Sequence, residues 1–434
     1  MGLQPRTTDE RDGRTPAAPW KRLLLIFLLA LAVRSAFVVW HPWGTPDSAG
    51  YDTIARNLME GHGFSFSQAP PYRPTLYRTP VYPYFLVAVY SVFGFSHLPV
   101  HVIQAAIGSL TCCLIYLICR RYWDERTALL AALLNAVFPF QALFTAVVLT
   151  ETVYAFLVCC TVYLLTRAYQ GRSLGWTAAA GFALGLTILC RPEACLLPPF
   201  LALILLCCFR LRRPAWEMSA LLALCSGLVV FPWLVRNYHT SGRVMSLVNS
   251  GPGVAFWQCT LPYFSMDTFQ FEPGAEDRDP MVKAYLGAHT DEECARMEPV
   301  FWRAGWQNVR SHPLTYLRLR LRDYPHLWIS GGDYFLGGWN RSFSQALAQR
   351  QYLLLFVKGV LLLLTGVLPL ALALLGLVAE RHRLGALWPL WMMMAYISLT
   401  RLPFDIQPRL SLGGQPFMLA FAACALVYLW GRWR

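Results

Sequence analysis

The sequence has few charged residues for its length. Asp, Glu, Lys and Arg make up 14% of the 434 residues, whereas the hydrophobic types make up 56%, and the mean hydropathy is +0.41. Soluble globular chains carry about 25% charged residues. Several apolar runs reach the roughly 20 residues that cross a bilayer as a helix. The composition therefore excludes a soluble globular protein and predicts a multi-pass membrane protein.

Several signatures of enzyme chemistry are absent. The chain has no Walker loop, no HExxH motif, no CxxC pair and no GxSxG motif. Most of the 13 cysteines lie in apolar runs, where cysteine behaves as a small apolar residue. Only Cys259 and Cys294 lie in a long polar segment, and the sequence leaves their pairing open.

Ten apolar runs alternate with polar connections, at 23–40, 98–119, 127–148, 153–168, 174–190, 194–209, 217–235, 353–377, 385–400 and 412–430. Arginines cluster in every second short connection, as at Arg120-Arg121 and around 210–213. The positive-inside rule places these connections and both termini in the cytoplasm. The net charge of +13 is then a topology signal, and we expect no nucleic-acid partner. We predict an all-α fold with about ten transmembrane helices.

This topology divides the chain into four parts. We expect a cytoplasmic tail at 1–22, an N-terminal transmembrane module at 23–236, a soluble outer insert at 237–350 and C-terminal transmembrane helices at 351–434. The first outer loop, 41–97, belongs to the N-terminal module. Within the insert, the leucines at 314, 317 and 321 form one helical stripe, which favours an amphipathic helix on the membrane surface over a strand.

The first outer loop carries the stretch TPDSAGYD at 45–52, which holds two carboxylates, Asp47 and Asp52. Apolar residues at helical spacing predict an interfacial helix here, and the apolar segment after Arg78 predicts a second one. Charge at the mouth of a membrane protein is costly and usually functional. Two hypotheses for Asp47 stay open, a catalytic base or only the N-cap of the helix.

Charged residues collect on the predicted outer face, among them Arg56, Arg73, Arg78, Glu151, Arg191, Glu193, Arg236, Arg401 and Arg409. The positive-inside rule disfavours arginine on that face. A phosphate-bearing lipid would account for it, because the planar guanidinium suits phosphate. Pairing with each other or with lipid headgroups is the alternative, which we expect for more than half of the set. Arg34, inside the first span, either extends to the interface or pairs with a phosphate or with Asp47.

The order of these motifs resembles the GT-C superfamily of polyprenyl-phosphate-sugar glycosyltransferases. The resemblance is to the branch of glycosyltransferase family 39, which includes protein O-mannosyltransferases and the aminoarabinose transferases that modify lipid A. The matching segments are 47–51 with 56–64, 77–83, 149–151, 191–192, 232–238, 311–313 and 401–416.

The resemblance implies the GT-C fold and a donor that is a lipid-linked sugar. An acceptor hydroxyl would attack the anomeric carbon with inversion, and polyprenyl phosphate would leave. Asp47 matches the acidic residue assigned as general base, and Arg78 matches the residue that contacts the donor phosphate. Glu151 matches a second acidic position that orients the acceptor or a metal, with Asp52 as a further candidate for that role. Arg191, Arg236 and Arg34 are the further phosphate-binding candidates.

Two departures from the family affect the expected cofactor and acceptor. Tyr77 stands where the aminoarabinose transferases have an acidic residue, so we predict no bound metal and no other cofactor. Ser48 follows Asp47, where the O-mannosyltransferases have an Asp-Glu pair. We therefore expect a donor in the membrane and leave the acceptor open as a lipid, glycan or protein. The predicted location is the bacterial cytoplasmic membrane, with the site on its periplasmic face.

Two other function classes fit a lipid groove and outward arginines. A transporter or flippase of lipid-linked saccharides would show internal hydropathy repeats and polar residues at the midplane of several spans. Here the ionisable residues gather towards one face, which favours an enzyme. A non-catalytic assembly scaffold predicts instead that Asp47 is replaceable.

Overall fold

The structure of the chain is a computed structural model. It describes residues 19–40, 44–208, 212–242, 247–248, 251–265, 270–287, 291–329, 335 and 343–432. Most of the predicted cytoplasmic tail lies outside the described residues. Helices dominate the described part, which confirms the predicted all-α class.

Within the described residues, ten α-helices precede the insert. They are α1 Pro19–Trp40, α2 Pro46–Met59, α3 Val81–Phe93, α4 His97–Cys119, α5 Glu125–Val137, α6 Pro139–Leu143, α7 Glu151–Gly171, α8 Leu174–Cys190, α9 Leu197–Cys208 and α10 Arg213–Ser241. The last of these continues past residue 236, where we placed the end of the transmembrane module.

The insert and the C-terminal part follow the same helical pattern. The insert holds α11 Pro252–Gln258, the antiparallel strand pair β1 Phe264–Ser265 and β2 Gln270–Phe271, α12 Ala275–Arg278, α13 Pro280–Leu286, α14 Asp291–Ser311, α15 Pro313–Asp323 and α16 Phe343–Ala348. The C-terminal helices are α17 Tyr352–Leu362, α18 Leu368–Ala379, α19 Trp388–Arg401 and α20 Gln415–Arg432. A π-helical segment, Leu363–Val367, joins α17 to α18.

Every predicted span coincides with helical structure, but not all of these helices are long. Within the described residues, five helices are long and apolar enough to cross a membrane, or six if a bent pair counts as one span. The bent pair is α5 with Pro139–Ala146, which meet at 49°. Phe138, between them, is extended because the residue before a proline avoids helical geometry. The chain is a multi-pass membrane protein, and the count of ten stays a prediction.

The N-cap of α2 is Thr45, so the hypothesis that Asp47 is only an N-cap is wrong. Thr45 Oγ1 accepts from the Ser48 amide at 3.2 Å, and Ser48 Oγ accepts from the Thr45 amide at 3.2 Å. This reciprocal capping box satisfies the free donors at the helix start. Pro46 takes the first helical position, where its missing N–H costs nothing. The carboxylate of Asp47 is therefore left for other contacts.

Helices α2 and α3 were both predicted in the first loop, and they pack on each other. The rings of Tyr51 and Tyr82 meet edge to face at 4.9 Å. Asp52 Oδ1 accepts from Tyr90 at 2.6 Å, and its other oxygen lies 2.8 Å from His97 Nε2. The helices are confirmed, and their interfacial position stays a prediction.

The insert has a hydrophobic core of its own, centred on Trp257 and Phe301. Helix α15 confirms the predicted helix and excludes a strand at that segment. The buried Arg320 fixes it in place by donating to the carbonyls of Phe404 and Cys259. Cys259 is buried with a free thiol, while the side chain of Cys294 lies outside the described residues.

Candidate active site

Asp47 lies between two arginines that come from distant parts of the chain. Arg78 Nη2 donates to Asp47 Oδ1 at 2.5 Å, and Arg409 Nη1 donates to Asp47 Oδ2 at 3.1 Å. Arg78 precedes α3, and Arg409 belongs to a short 3₁₀ turn, Pro408–Ser411, ahead of α20. Each oxygen of this carboxylate therefore has its own cationic partner.

This trio is one end of a row of eight alternating charges, which we call the charge row. Arg409 lies 3.9 Å from Glu151, which Arg191 contacts at 3.3 Å. The remaining contacts are Arg191 to Glu193 at 3.2 Å, Glu193 to Arg401 at 2.8 Å and Arg401 to Asp405 at 3.1 Å. Four cations and four anions alternate, so the formal charges cancel.

The charge row forms because helix ends meet at one end of the bundle. Asp47 is the second residue of α2, Glu151 is the first of α7, and Arg191 directly follows α8. Gly413 allows a close approach near Arg409, since a Cβ there would lie 2.7 Å from the ring of Tyr154. The structure therefore brings together four of the predicted site residues, Asp47, Arg78, Glu151 and Arg191.

Arg78 lies between two aromatic rings. Its guanidinium carbon is 4.8 Å from the ring centre of Tyr51 and 4.6 Å from that of Tyr77. Its Nε is buried and has no hydrogen-bond partner among the described residues. Rings on either side favour the cation, and the unused Nε–H leaves a donor for another group. Tyr77 therefore contacts Arg78 through its ring.

The charges around Asp47 set its protonation. Burial alone would raise the pKa of this carboxyl, but the charges of Arg78 and Arg409 outweigh burial and hold the pKa below its usual range. Burial in turn raises the pKa of the neighbouring Tyr51 to about 12. At neutral pH, Asp47 is therefore an anion and Tyr51 a neutral phenol.

Arg34 does not take either of the positions that we considered for it. Its side chain is 1% exposed and donates to the carbonyls of Ala30, Ala136 and Asn135, and to Cys112 Sγ. It neither extends to the interface nor contacts Asp47. These contacts hold the guanidinium within the packing of α1, α4 and α5, because carbonyls there satisfy a charge that lipid would not. Its predicted phosphate-binding role has no contact that favours it.

Arg236 and Asp52 also lie outside the charge row. Arg236 donates to the carbonyls of Thr75 and Phe64 and lies over the ring of Trp233 at 4.8 Å, so it supports the first loop. Asp52 joins α2 to Tyr90 and His97, as described above. Their predicted roles at the donor and acceptor stay predictions without support from these contacts.

A metal site does not emerge from the described residues. Within them, no group of three or more His, Cys, Asp or Glu side chains is close enough to hold a metal ion. Asp47 and Glu151 each face arginine instead. The prediction that turnover needs no metal is not tested by this geometry.

Arg409 is the site residue that the sequence analysis missed. We counted it among the outer arginines but did not assign it to the phosphate or to the base. Its segment, 401–416, was one of the matching motifs, which was the available signal. Tyr51 lies in the stretch 45–52 and was likewise given no role.

The sequence matches the model of a known protein family. Residues 77–235 match the family described as dolichyl-phosphate-mannose-protein mannosyltransferase. That range contains Arg78, Glu151 and Arg191, but not Asp47 or Arg409.

Two curated relatives are undecaprenyl phosphate-alpha-4-amino-4-deoxy-L-arabinose arabinosyl transferases. The protein of Pseudomonas aeruginosa strain LESB58 is 31% identical over 290 residues, which are 65% of this chain and 50% of that protein. The protein of Pseudomonas paraeruginosa strain PA7 is 30% identical over 224 residues, which are 49% of this chain and 39% of that protein. The chain thus spans at most about half the length of these relatives.

Among solved structures, the chain is similar to the archaeal oligosaccharyltransferase AglB from Archaeoglobus fulgidus, in complex with an inhibitory peptide and a dolichol-phosphate. The TM-score is 0.55 at 14% identity, and the match covers 95% of this chain and 50% of that one. The apo form of the oligosaccharyltransferase from the same organism gives a TM-score of 0.54 at 15% identity, over 94% of this chain and 51% of that one. At such low identity the likeness concerns the fold.

Proposed function

We propose that the chain is a membrane glycosyltransferase of the GT-C superfamily that uses a polyprenyl-phosphate sugar as donor. The observation that carries the proposal is Asp47, a partly exposed carboxylate between Arg78 and Arg409 at one end of the helix bundle. Glycosyl transfer from a lipid phosphate needs a base for the acceptor and cations for the leaving phosphate. This trio offers both.

The reaction forms one bond and breaks one bond at the anomeric carbon of the sugar. The acceptor oxygen attacks that carbon from the face opposite the phosphate, and the configuration inverts. The bond from carbon to phosphate oxygen breaks, and its electron pair leaves with polyprenyl phosphate. Asp47 takes the hydroxyl proton. Arg78 neutralises the charge that develops on the phosphate, because two charged partners form the strongest hydrogen bonds.

Glu151 has a separate role in this proposal. It lies one arginine away from Asp47 and is 2% exposed, so an acceptor hydroxyl reaches it less readily than Asp47. We assign it to orienting the acceptor together with Arg191, which it contacts at 3.3 Å. Asp52, which is already bound to Tyr90 and His97, has no part in the chemistry.

The donor and acceptor follow from the relatives only in broad class. The curated relatives are named for a sugar carried on undecaprenyl phosphate, and the archaeal structure holds a dolichol-phosphate. These names support a long-chain polyprenyl phosphate as the lipid of the donor. We propose a hexose or pentose as the sugar and a lipid, glycan or protein hydroxyl as acceptor. We place the reaction on the periplasmic face of a bacterial cytoplasmic membrane, in contact with membrane lipids.

The test is transfer of a labelled sugar by the purified protein in vesicles. Polyprenyl-phosphate donors carrying radiolabelled pentoses or hexoses are supplied together with membrane lipid, glycan and protein acceptors. We expect label in one acceptor class, release of free polyprenyl phosphate, and an inverted anomeric configuration by NMR. Movement of intact donor between leaflets without release would establish the transporter hypothesis. No transfer and no movement with any donor would favour the scaffold.

A further inference from the structure

The resting arrangement of Asp47 is a poor one for proton abstraction. Its Oδ1 accepts from Arg78, and its Oδ2 accepts from Arg409. Two cations on one carboxylate lower its basicity, which is why its pKa is below the usual range. A base that takes a hydroxyl proton needs an available oxygen and a higher pKa. Some event in the reaction must therefore loosen both contacts.

We propose that Arg409 is a second ligand of the donor phosphate, and that Arg78 and Arg409 shift from Asp47 towards this phosphate when the donor binds, before the sugar is transferred. The inference rests on the proposed function and deepens it. It assigns a residue that comes from the far end of the chain, 362 positions from Asp47. In this proposal, both arginines bind the donor phosphate.

The charges balance at each stage of this transfer. Before reaction, one carboxylate and one phosphodiester carry a charge of −1 each, and the two guanidinium groups carry +1 each. After reaction, Asp47 is neutral with the acceptor's proton, and the released polyprenyl phosphate carries −2. The sum is zero both times, so the negative charge that Asp47 loses appears on the phosphate. The same two cations neutralise it in both states.

The trio holds the two most exposed cations of the charge row. The side chains of Arg78 and Arg409 are 19% and 24% exposed, whereas those of Arg191 and Arg401 are 12% and 11% exposed. Arg78 also has its buried Nε–H unused. A guanidinium offers five N–H donors, so each arginine can form its first hydrogen bond to phosphate before it releases the carboxylate. The shift therefore needs no large movement.

The groups that face Asp47 limit what else could titrate with it. They are Arg78 before α3, Arg409 before α20, Tyr51 on the next turn of α2, and Glu151 across Arg409. The arginines and Tyr51 keep their protons throughout the neutral range. Glu151 is the other carboxylate that contacts Arg409, and a Glu151→Gln variant separates its contribution from that of Asp47.

The experiment measures binding of a phosphodiester with a fixed charge, the monomethyl ester of a polyprenyl phosphate. Calorimetry in buffers of different ionisation enthalpy counts the protons taken up on binding, from pH 7 down to pH 5. We expect uptake that grows as the pH falls, because an Asp47 that loses its arginines gains a higher pKa. Uptake should persist in Glu151→Gln and disappear in Asp47→Asn. If Arg409 were purely structural, replacing it would leave the proton uptake unchanged.

Substitutions of Arg409 test its contribution to phosphodiester binding. Arg409→Gln should weaken phosphodiester affinity roughly 10- to 100-fold, as loss of a charge-assisted hydrogen bond does. Arg409→Lys keeps the charge but loses the planar fork, so we expect an intermediate loss. Arg278→Gln is the matched control, an exposed arginine of the insert that pairs with Glu272, and it should bind normally.

The outcomes separate this inference from the proposed function. Unchanged affinity in Arg409→Gln and Arg409→Lys, or uptake that persists in Asp47→Asn, would overturn the inference even if the wild type transfers sugar. Asp47-dependent uptake with weaker binding in both Arg409 variants supports the inference. If no donor were then turned over, the proposed function would fail while the shared phosphate site stood.

Discussion

Replacing Asp47 by Asn separates catalysis from helix structure in this chain. Thr45 and Ser48 form the cap of α2, so the substitution leaves every hydrogen bond of that cap intact. The amide has nearly the same shape as the carboxylate and keeps one oxygen to accept from Arg78 or Arg409. It has no charge and cannot take the acceptor's proton. We therefore expect a folded protein with little turnover.

The size of the loss follows from the role assigned to Asp47. A positioned general base contributes roughly 100- to 10,000-fold to rate. At 1.36 kcal/mol per tenfold, this equals about 3 to 5 kcal/mol of lost transition-state stabilisation. Donor affinity should be kept or become tighter, because Arg78 and Arg409 lose the anion that competes with the phosphate. The loss should thus appear in kcat and not as a raised KM for donor.

The assay is sugar transfer at saturating and limiting donor, with the melting temperature of each variant measured alongside. Thr45→Ala is the matched control, because it removes the cap at a cost of about 1 kcal/mol in stability and keeps the carboxylate. It should melt at a lower temperature and turn over normally per folded molecule. Near-normal turnover in Asp47→Asn, with collapse in Glu151→Gln or Asp52→Asn, would refute the assignment.

The pH dependence of stability gives an independent check on the same residue. The folded-state pKa of Asp47 is depressed, so its ion pairs stabilise the fold above the unfolded pKa. That contribution is lost as the pH falls through the lower, folded-state value. The difference in melting temperature between wild type and Asp47→Asn should therefore be constant at neutral pH and shrink only below about pH 4. A difference that disappears near pH 6 would show that another group is responsible.

Four further predictions concern the donor, the cofactor and the membrane. Arg78→Ala should weaken donor binding strongly and Arg78→Lys partly restore it, as measured by the calorimetry above; unchanged affinity would move the phosphate to other arginines. Turnover should survive chelation of divalent metals, and activity lost in chelator but restored by one added metal would refute this. A Glu276→Cys variant, exposed in the insert, should react with impermeant maleimide from the periplasmic side; labelling only from the cytoplasm would reverse the topology. A fluorophore at Leu317→Cys, on the exposed face of α15, should be quenched by lipids with shallow spin labels, and a fully aqueous response would exclude membrane contact.

Much of the fold could be predicted from the sequence because the bilayer restricts it. Length and hydropathy located the helices, and arginine-rich connections predicted which ends share a face. The start of α7, the end of α8 and the segment before α20 do meet, as the arginine pattern predicted. Exact lengths were less accurate, since Pro139 bends one predicted span and α10 extends to Ser241.

At the start of α2, the local sequence pattern allows two candidate N-cap residues. Thr45 and Asp47 are both good capping residues, and both are followed at the right distance by an apolar stripe. Pro46 favours Thr45, because proline is preferred at the first helical position and not in front of a cap at Asp47. The correct assignment was therefore available from the sequence, and it matters because it releases the carboxylate for the charge row.

The partners of three other arginines could not be predicted in this way. Arg34, Arg236 and Arg409 all looked like outward cations that needed an anion. Arg34 and Arg236 donate to backbone carbonyls, whose positions depend on how the helices pack and turn. Only Arg409 reaches a carboxylate of the first loop, across 362 positions of sequence. Pattern predicts which face a cation occupies, but tertiary packing selects its partner. A charge that packing places beside the catalytic base, and leaves partly exposed, is therefore the one to test for contact with the substrate.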